Sequence, residues 1–149
     1  MSDTRVAIKK VIIIAVIVFS GFLVYFNSLS HQFTWDDYYL VENNVSIKDV
    51  SRIKDIFTTH LFFGGAGRSN FYRPVQSLSL MLDYSLWRLN PFGYHLTNVI
   101  LHILTALLTY FFLLKVTSNR NISFFSSLLF VIHPIHTEAV SYIAGRADS

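Results

Sequence analysis

Four groups of side chains in this 149-residue sequence have the types and spacing to do chemistry. The first is the adjacent acidic pair in Trp35-Asp36-Asp37-Tyr38. A carboxylate within hydrogen-bond reach of a hydroxyl can take its proton and make it a nucleophile. Two carboxylates close to a bilayer are expensive to bury and need a partner or a task. The same tetrapeptide also reads as the solvated start of a loop, with Trp35 and Tyr38 as interfacial anchors. The second group is His133-Pro134-Ile135-His136-Thr137-Glu138, with Arg146 and Asp148 following. Two imidazoles and a nearby glutamate can bind a metal, hydrogen-bond a phosphate or orient a carboxylate. Pro134 interrupts the helix that would fix a metal-ligand spacing, and the alternative is a polar helix end at a membrane surface. The third group is Tyr72-Arg73-Pro74, where an arginine at a helix start is placed to meet an anion such as phosphate. A surface ion pair is the plainer reading of Arg73. The fourth is His95, Asn98, His102, Thr105 and Thr109, which share one helical face. Its deeper members read as interhelical hydrogen bonds, whereas His95 and Asn98 lie near the outer mouth and border a site.

The elements that must position these groups are membrane helices. Apolar residues make up 52% of the chain and charged residues 14%, against roughly 25% charged in soluble domains. This excludes a disordered tail and argues against an ordinary soluble enzyme. There are no cysteines, so neither a disulfide framework nor a thiolate metal site is available. A net charge of +3 without a basic stripe gives no nucleic-acid platform. A first span is expected over 11–29, about 19 residues and enough to cross a core of roughly 30 Å. Arg5, Lys9 and Lys10 precede it, which places the N-terminus in the cytoplasm. The apolar run is too long for a signal peptide and has no cleavage pattern after it. A second span over 96–116 returns, leaving Lys115 and Arg120 in a short cytoplasmic turn. A third, over 121–133, meets Pro134 after about 17 Å of helix and is short for a full crossing. A bent or re-entrant piece follows, and a fourth segment begins near 138–149. The His133–Glu138 motif thereby returns to the same side as Asp36 and Asp37.

Residues 30–95 form a long outer loop, and loops of that length are usually functional. Ser46-Ile47-Lys48-Asp49 resembles a capping box. Val50, Ile53, Ile56 and Phe57 after it predict a short amphipathic helix on the membrane surface or on other helices. Gly64–Asn70 is a turn without the lysine of a nucleotide loop. A second helix is predicted from Pro74, with Val75, Leu78, Leu82 and Leu86 on one face and Asn90-Pro91-Phe92-Gly93 ending it.

The segments FTWDDYYLVENN, SIKDVSRIKDIFTTHLF, YRPVQSLSLMLDYSLWRLNPFGYHLTNVILH and FVIHPIHTEAVSYIAGRAD occur together and in order from Phe33 to Asp148. In this they closely resemble the N-terminal part of the transmembrane and TPR-repeat O-mannosyltransferase-like proteins, of the GT-C glycosyltransferase superfamily. The resemblance implies an all-α membrane protein: a GT-C-like multi-pass helical bundle, here a fragment, with amphipathic helices in a long first periplasmic loop. It implies transfer of a sugar, with mannose as the candidate, from a polyprenyl-phosphate-linked donor to a protein Ser/Thr or other hydroxyl acceptor on the non-cytoplasmic face. Carried over, Asp36 and Asp37 are the catalytic carboxylates, with Asp36 favoured as base and Asp37 orienting. Arg73, His133, His136, Glu138, Arg146 and His95 are the expected substrate- and phosphate-binding residues. The chemistry requires no metal and no cofactor beyond the lipid-linked donor. Membrane lipids, the donor and an acceptor protein or glycan are the expected partners, with no nucleic acid among them. The absence of cysteine fits a bacterial inner membrane. Two other readings of the same residues are a non-enzymatic membrane anchor or assembly module, and a transporter fragment whose broken span at Pro134 lines a path.

Overall fold

The computed structural model describes residues 2–65 and 69–148, and all regular structure among them is helical. The long helix α1 (Ser2–Tyr25) tightens into a 3-10 turn over Phe26–Ser30. The segment between the two long helices then carries α2 (Ile53–Thr58) and α3 (Pro74–Trp87). After it come α4 (Pro91–Thr117), α5 (Arg120–Ile132) and the short α6 (Thr137–Ser141), followed by a 3-10 turn over Ala144–Asp148. Ala7–Ser30 and Pro91–Thr117 are long and apolar enough to cross a membrane. The 13 residues of α5 cover about 20 Å and fall short of a crossing. Ala66, Gly67 and Arg68 of the expected turn, the side chain of Arg5 and Ser149 lie outside the described residues.

Local chemistry sets the helix ends. The Asn90 side chain accepts the Phe92 N–H at 3.2 Å and Pro91 occupies the first helical position. These residues, expected to close the preceding helix, therefore open α4. An asparagine cap followed by a proline with no N–H to leave unpaired is a start signal. At the far end Ser118 turns left-handed (φ 53°), and Asn119 caps α5 by accepting from Asn121 and Ile122 at 3.0 and 3.2 Å. The predicted capping box at Ser46 does not form. The Ser46 N–H donates to Asn44 Oδ1 at 2.9 Å, and Asp49 instead accepts from the Ser51 N–H to start the 3-10 turn before α2. Of the predicted apolar face of α2 only Ile56 is buried; Val50, Ile53 and Phe57 are exposed.

Helices α1, α4 and α5 pack on one another around Ile17, Val99, Ile103, Ala106, Tyr110 and Val131. In lipid such burial brings little hydrophobic gain, and close packing has to hold the helices together. Gly21 allows it: a Cβ there would sit 2.5 Å from Ile103 Cγ1 and 3.1 Å from Val131 Cγ2. The segment between α1 and α4 has a second cluster, in which Phe33, Leu40, Ile47 and Leu80 pack with Tyr94 of α4 and Ile143. Against water as the reference, each fully buried aliphatic side chain contributes about 1.5–3 kcal/mol. Helix α3 lies over α4 on a mixed face: Gln76, Ser77 and Asp83 are buried together with Leu80 and Met81, whereas Val75 and Leu86 of the predicted apolar face are 77% and 73% exposed. The rotation that brings Asp83 inward is matched by the partner it finds.

Candidate active site

Trp35 adopts a left-handed backbone (φ 46°) and sends the two following carboxylates in different directions. A bulky residue there is strained, and such strain persists only where surrounding structure enforces it. Asp37 turns inward and is 1% exposed. Its Oδ1 accepts the Ala144 N–H at 2.9 Å and its Oδ2 accepts the Thr34 N–H at 3.0 Å. It thus ties the start of the segment between α1 and α4 to the end of the chain. Burial pushes its carboxyl up from the ordinary 3.8 to about 6, opposed by those two backbone N–H groups and reinforced by the charge of Asp36. Asp36 remains exposed. Its backbone N–H donates to the Tyr142 hydroxyl at 3.1 Å, and the Tyr142 ring stands edge-on to Trp35 with centroids 6.5 Å apart. Burial raises the Tyr142 hydroxyl above its ordinary value, and the carboxylates of Asp36, Asp37 and Glu138 push the same way, so it stays a neutral phenol.

Asp36 opens onto a cleft of about 500 Å³ that also presents Asn70, Arg73, Glu138, Tyr142 and Asp148. Separated stretches of sequence thus converge on one concave, polar surface. Arg73 also faces a second cavity of about 420 Å³, whose walls include Val75, Leu101, Thr105 and Ala147 together with Gln76, Ser79 and Arg146. This arginine therefore stands where a polar cleft meets a largely apolar one.

Of the residues singled out from sequence, Asp36, Arg73, Glu138 and Asp148 share the cleft, Arg146 lines the second cavity with Arg73, and the others lie elsewhere. Arg146 is spoken for within the fold. Its Nη2 lies 2.6 Å from Asp83 Oδ2, its Nε donates to Asn98 Oδ1 at 2.6 Å, and its Nη1 donates to Ser79 at 3.0 Å. Asn98 completes the tie by donating to the Val140 and Tyr142 carbonyls, both at 3.2 Å. His95 is buried in α4 with its ring edge-on to His31 at 5.9 Å. His133 and His136 do not reach Asp36. His133 Nδ1 accepts the Ile135 N–H at 3.2 Å, and the His136 ring packs 4.5 Å from Phe130 and 5.1 Å from His102. The bend after Pro134 explains the split. A three-residue 3-10 turn leads into α6, leaving the imidazoles against α5 and α4 while bringing Glu138 and Tyr142 round to the cleft. Among the described residues no three His, Asp or Glu side chains gather in a metal-ligating group.

Sequence reasoning missed Tyr142 and Asp83. Tyr142 sits in an apolar stretch and gave no signal. Asp83 is the only carboxylate of the 14-residue α3, and a lone charge in a helix close to lipid is a sign of a buried partner.

No family model matches this chain, and no solved structure matches it. Curated proteins do. The chain is 38% identical over 131 residues to the human (Homo sapiens) protein O-mannosyl-transferase TMTC1, covering 85% of this chain and 15% of that protein. It is 35% identical over 136 residues to TMTC2 of Mus musculus, covering 86% and 16%. To the protein O-mannosyl-transferase F38B6.6 of Caenorhabditis elegans it is 34% identical over 130 residues, covering 83% and 19%. The chain spans less than one fifth of the length of these relatives. On this similarity, carried over most of its length, the chain belongs to the TMTC family of protein O-mannosyl-transferases.

Proposed function

We propose that this chain forms part of a membrane glycosyltransferase that transfers a sugar, mannose by family, from a polyprenyl-phosphate donor to a Ser/Thr hydroxyl of a protein. Asp36 is the general base. It takes the proton of the acceptor hydroxyl as that oxygen attacks the anomeric carbon. The bond from that carbon to the phosphate oxygen breaks, the configuration inverts, and the lipid phosphate leaves with the electron pair. Arg73 meets the phosphate's charge, which grows in the transition state. Asp37 orients Asp36 by fixing the backbone on either side of it.

The observation that carries this reading is the unequal exposure of the two carboxylates. Asp36 is open to a cleft shared with Arg73, while Asp37 is buried with both oxygens engaged. The apolar cavity on the other side of Arg73 supports an amphiphilic donor, with phosphate at the guanidinium and hydrocarbon along Val75 and Leu101. Charge distribution supports a non-cytoplasmic cleft. Lys10 lies over the Phe111 ring near the C-terminal end of α4, so the basic residues in the first turns of α1 and those around the α4–α5 turn share one end of the bundle. That end is the cytoplasmic one by the positive-inside rule, and the N-terminus lies there with it.

The test is transfer of labelled mannose from polyprenyl-phosphate-mannose to a Ser/Thr acceptor peptide, in membranes holding the natural protein that carries this chain. Asp36→Asn is expected to abolish transfer with the protein still folded and membrane-inserted. Unchanged transfer in Asp36→Asn refutes the assignment.

A further inference from the structure

We propose that the groove between the N-terminal end of α1 and the α4–α5 turn binds the headgroup of an anionic phospholipid. The groove has a volume of about 790 Å³ and is distinct from both cavities at Arg73. Lys9 and Arg120 stand at it, with the polar Ser118 and Asn121 between them. Its other walls include Ile12, Ile13, Phe124 and Phe125. Cations and hydrogen-bonding groups at the end of the bundle, continuing into apolar walls along α1 and α5, match an amphiphile with a negative head. A free inorganic anion has no use for the apolar part.

The charge is unbalanced as well as placed. Among the described residues no carboxylate lines the groove, and neither Lys9 nor Arg120 is in an ion pair. Between Asp83 and Glu138 the sequence has no acidic residue, so the α4–α5 hairpin carries none. Asp3, the acidic residue nearest in sequence to Lys9, has its side chain outside the described residues. Lys115 in the last turn of α4 adds to the field at this end. Basic pockets between membrane helices on the cytoplasmic side are suited to anionic headgroups, because the surface potential there is negative and its reach is about a Debye length. The proposal rests on the bundle and its charge, and is independent of the transfer chemistry at Asp36.

The test uses the 149-residue chain in neutral maltoside micelles, with bound lipid read by native mass spectrometry. The probes are phosphatidylglycerol, phosphatidylcholine and inorganic phosphate. Phosphatidylglycerol is expected to bind at least about tenfold more tightly than phosphatidylcholine, with each of Lys9→Gln and Arg120→Gln weakening it roughly fivefold. The double variant is expected to lose the preference, while Lys54→Gln on the exposed side of α2 keeps it. Inorganic phosphate is expected not to displace the lipid at equal concentration. Equal binding of the two lipids, a preference intact in the double variant, or displacement by phosphate alone would overturn the proposal. Should the double variant fail to fold, the lipid comparison and the phosphate competition on the unsubstituted chain still decide it.

Discussion

Replacing Arg146 by methionine tests the central tie of the fold. Arg146 and Asp83 side chains are 3% and 4% exposed and meet at 2.6 Å. Arg146→Met keeps much of the side-chain volume but leaves the Asp83 carboxylate buried without its counter-charge. Breaking a buried pair in this way costs about 3–5 kcal/mol. At about 2–4 °C per kcal/mol for a chain of this size, Tm should fall by about 6–20 °C. Thr97 softens the other side of the comparison, because its hydroxyl reaches both Asp83 Oδ1 at 2.7 Å and the Gly93 carbonyl at 3.1 Å. Removing the carboxylate therefore does not orphan it. The double variant Asp83→Leu with Arg146→Met loses both charges together, which is often close to neutral. Deficits remain, since Asn98 Oδ1, Ser79 Oγ and the Tyr94 carbonyl lose the donors they had in Arg146; an acceptor left unpaired in this way costs about 1–3 kcal/mol. A double-mutant cycle on thermal unfolding in detergent should then give a coupling energy above about 2 kcal/mol. A single-variant loss below about 1 kcal/mol, or strictly additive losses, refutes the argument. A raised KM for donor with Tm unchanged would assign Arg146 to the substrate phosphate instead.

The raised carboxyl of Asp37 has a definite signature. Between about pH 4 and pH 6 the unfolded chain has ionised Asp37 while the folded protein keeps its proton, so stability falls as pH rises through this window. A shift from 3.8 to about 6 corresponds to about 3 kcal/mol, fully lost above pH 6. Asp37→Asn cannot titrate, so its Tm profile across that window should be flatter than that of the unsubstituted chain; parallel profiles would contradict the assignment. Tyr142→Phe removes the acceptor for the Asp36 N–H and should lower kcat about tenfold with KM for donor unchanged. A change in KM alone would mean that the hydroxyl contacts substrate rather than holding Asp36.

Much of the helical architecture was readable from residue types and spacing. The long uncharged run after Lys10, the run before Lys115 and the break at Pro134 are local properties. Chain continuity and the lack of water in a bilayer turn them into helices and a bend. Pro74 at the start of α3 was legible for the same reason, and so was the stripe from His95 to Thr109. Of the interhelical bonds expected from its deeper members, His102 makes one, to the Val131 carbonyl, but Thr105 and Thr109 return their hydroxyls to carbonyls of their own helix at 3.0 and 2.9 Å, since a threonine hydroxyl reaches the carbonyl four residues back. Boundaries that depend on competing caps were less legible. Ser46 and Asp49 both offer a helix start, but only Asp49 accepts a backbone N–H at the following turn, while the Ser46 N–H goes to Asn44 Oδ1.

The sequence by itself determined an all-helical membrane-type chain with an acidic pair just beyond its first span, because period, hydropathy and proline act over a few residues. Tertiary structure alone decided which carboxylate faces the cleft, since one left-handed residue and an N–H from Ala144, 107 positions away, divide Asp36 from Asp37. It likewise set which face of α3 is buried, with Asp83 inward beside Leu80 and Met81, because the guanidinium that satisfies Asp83 comes from a residue 63 positions away. No window of local sequence contains both partners of such a contact.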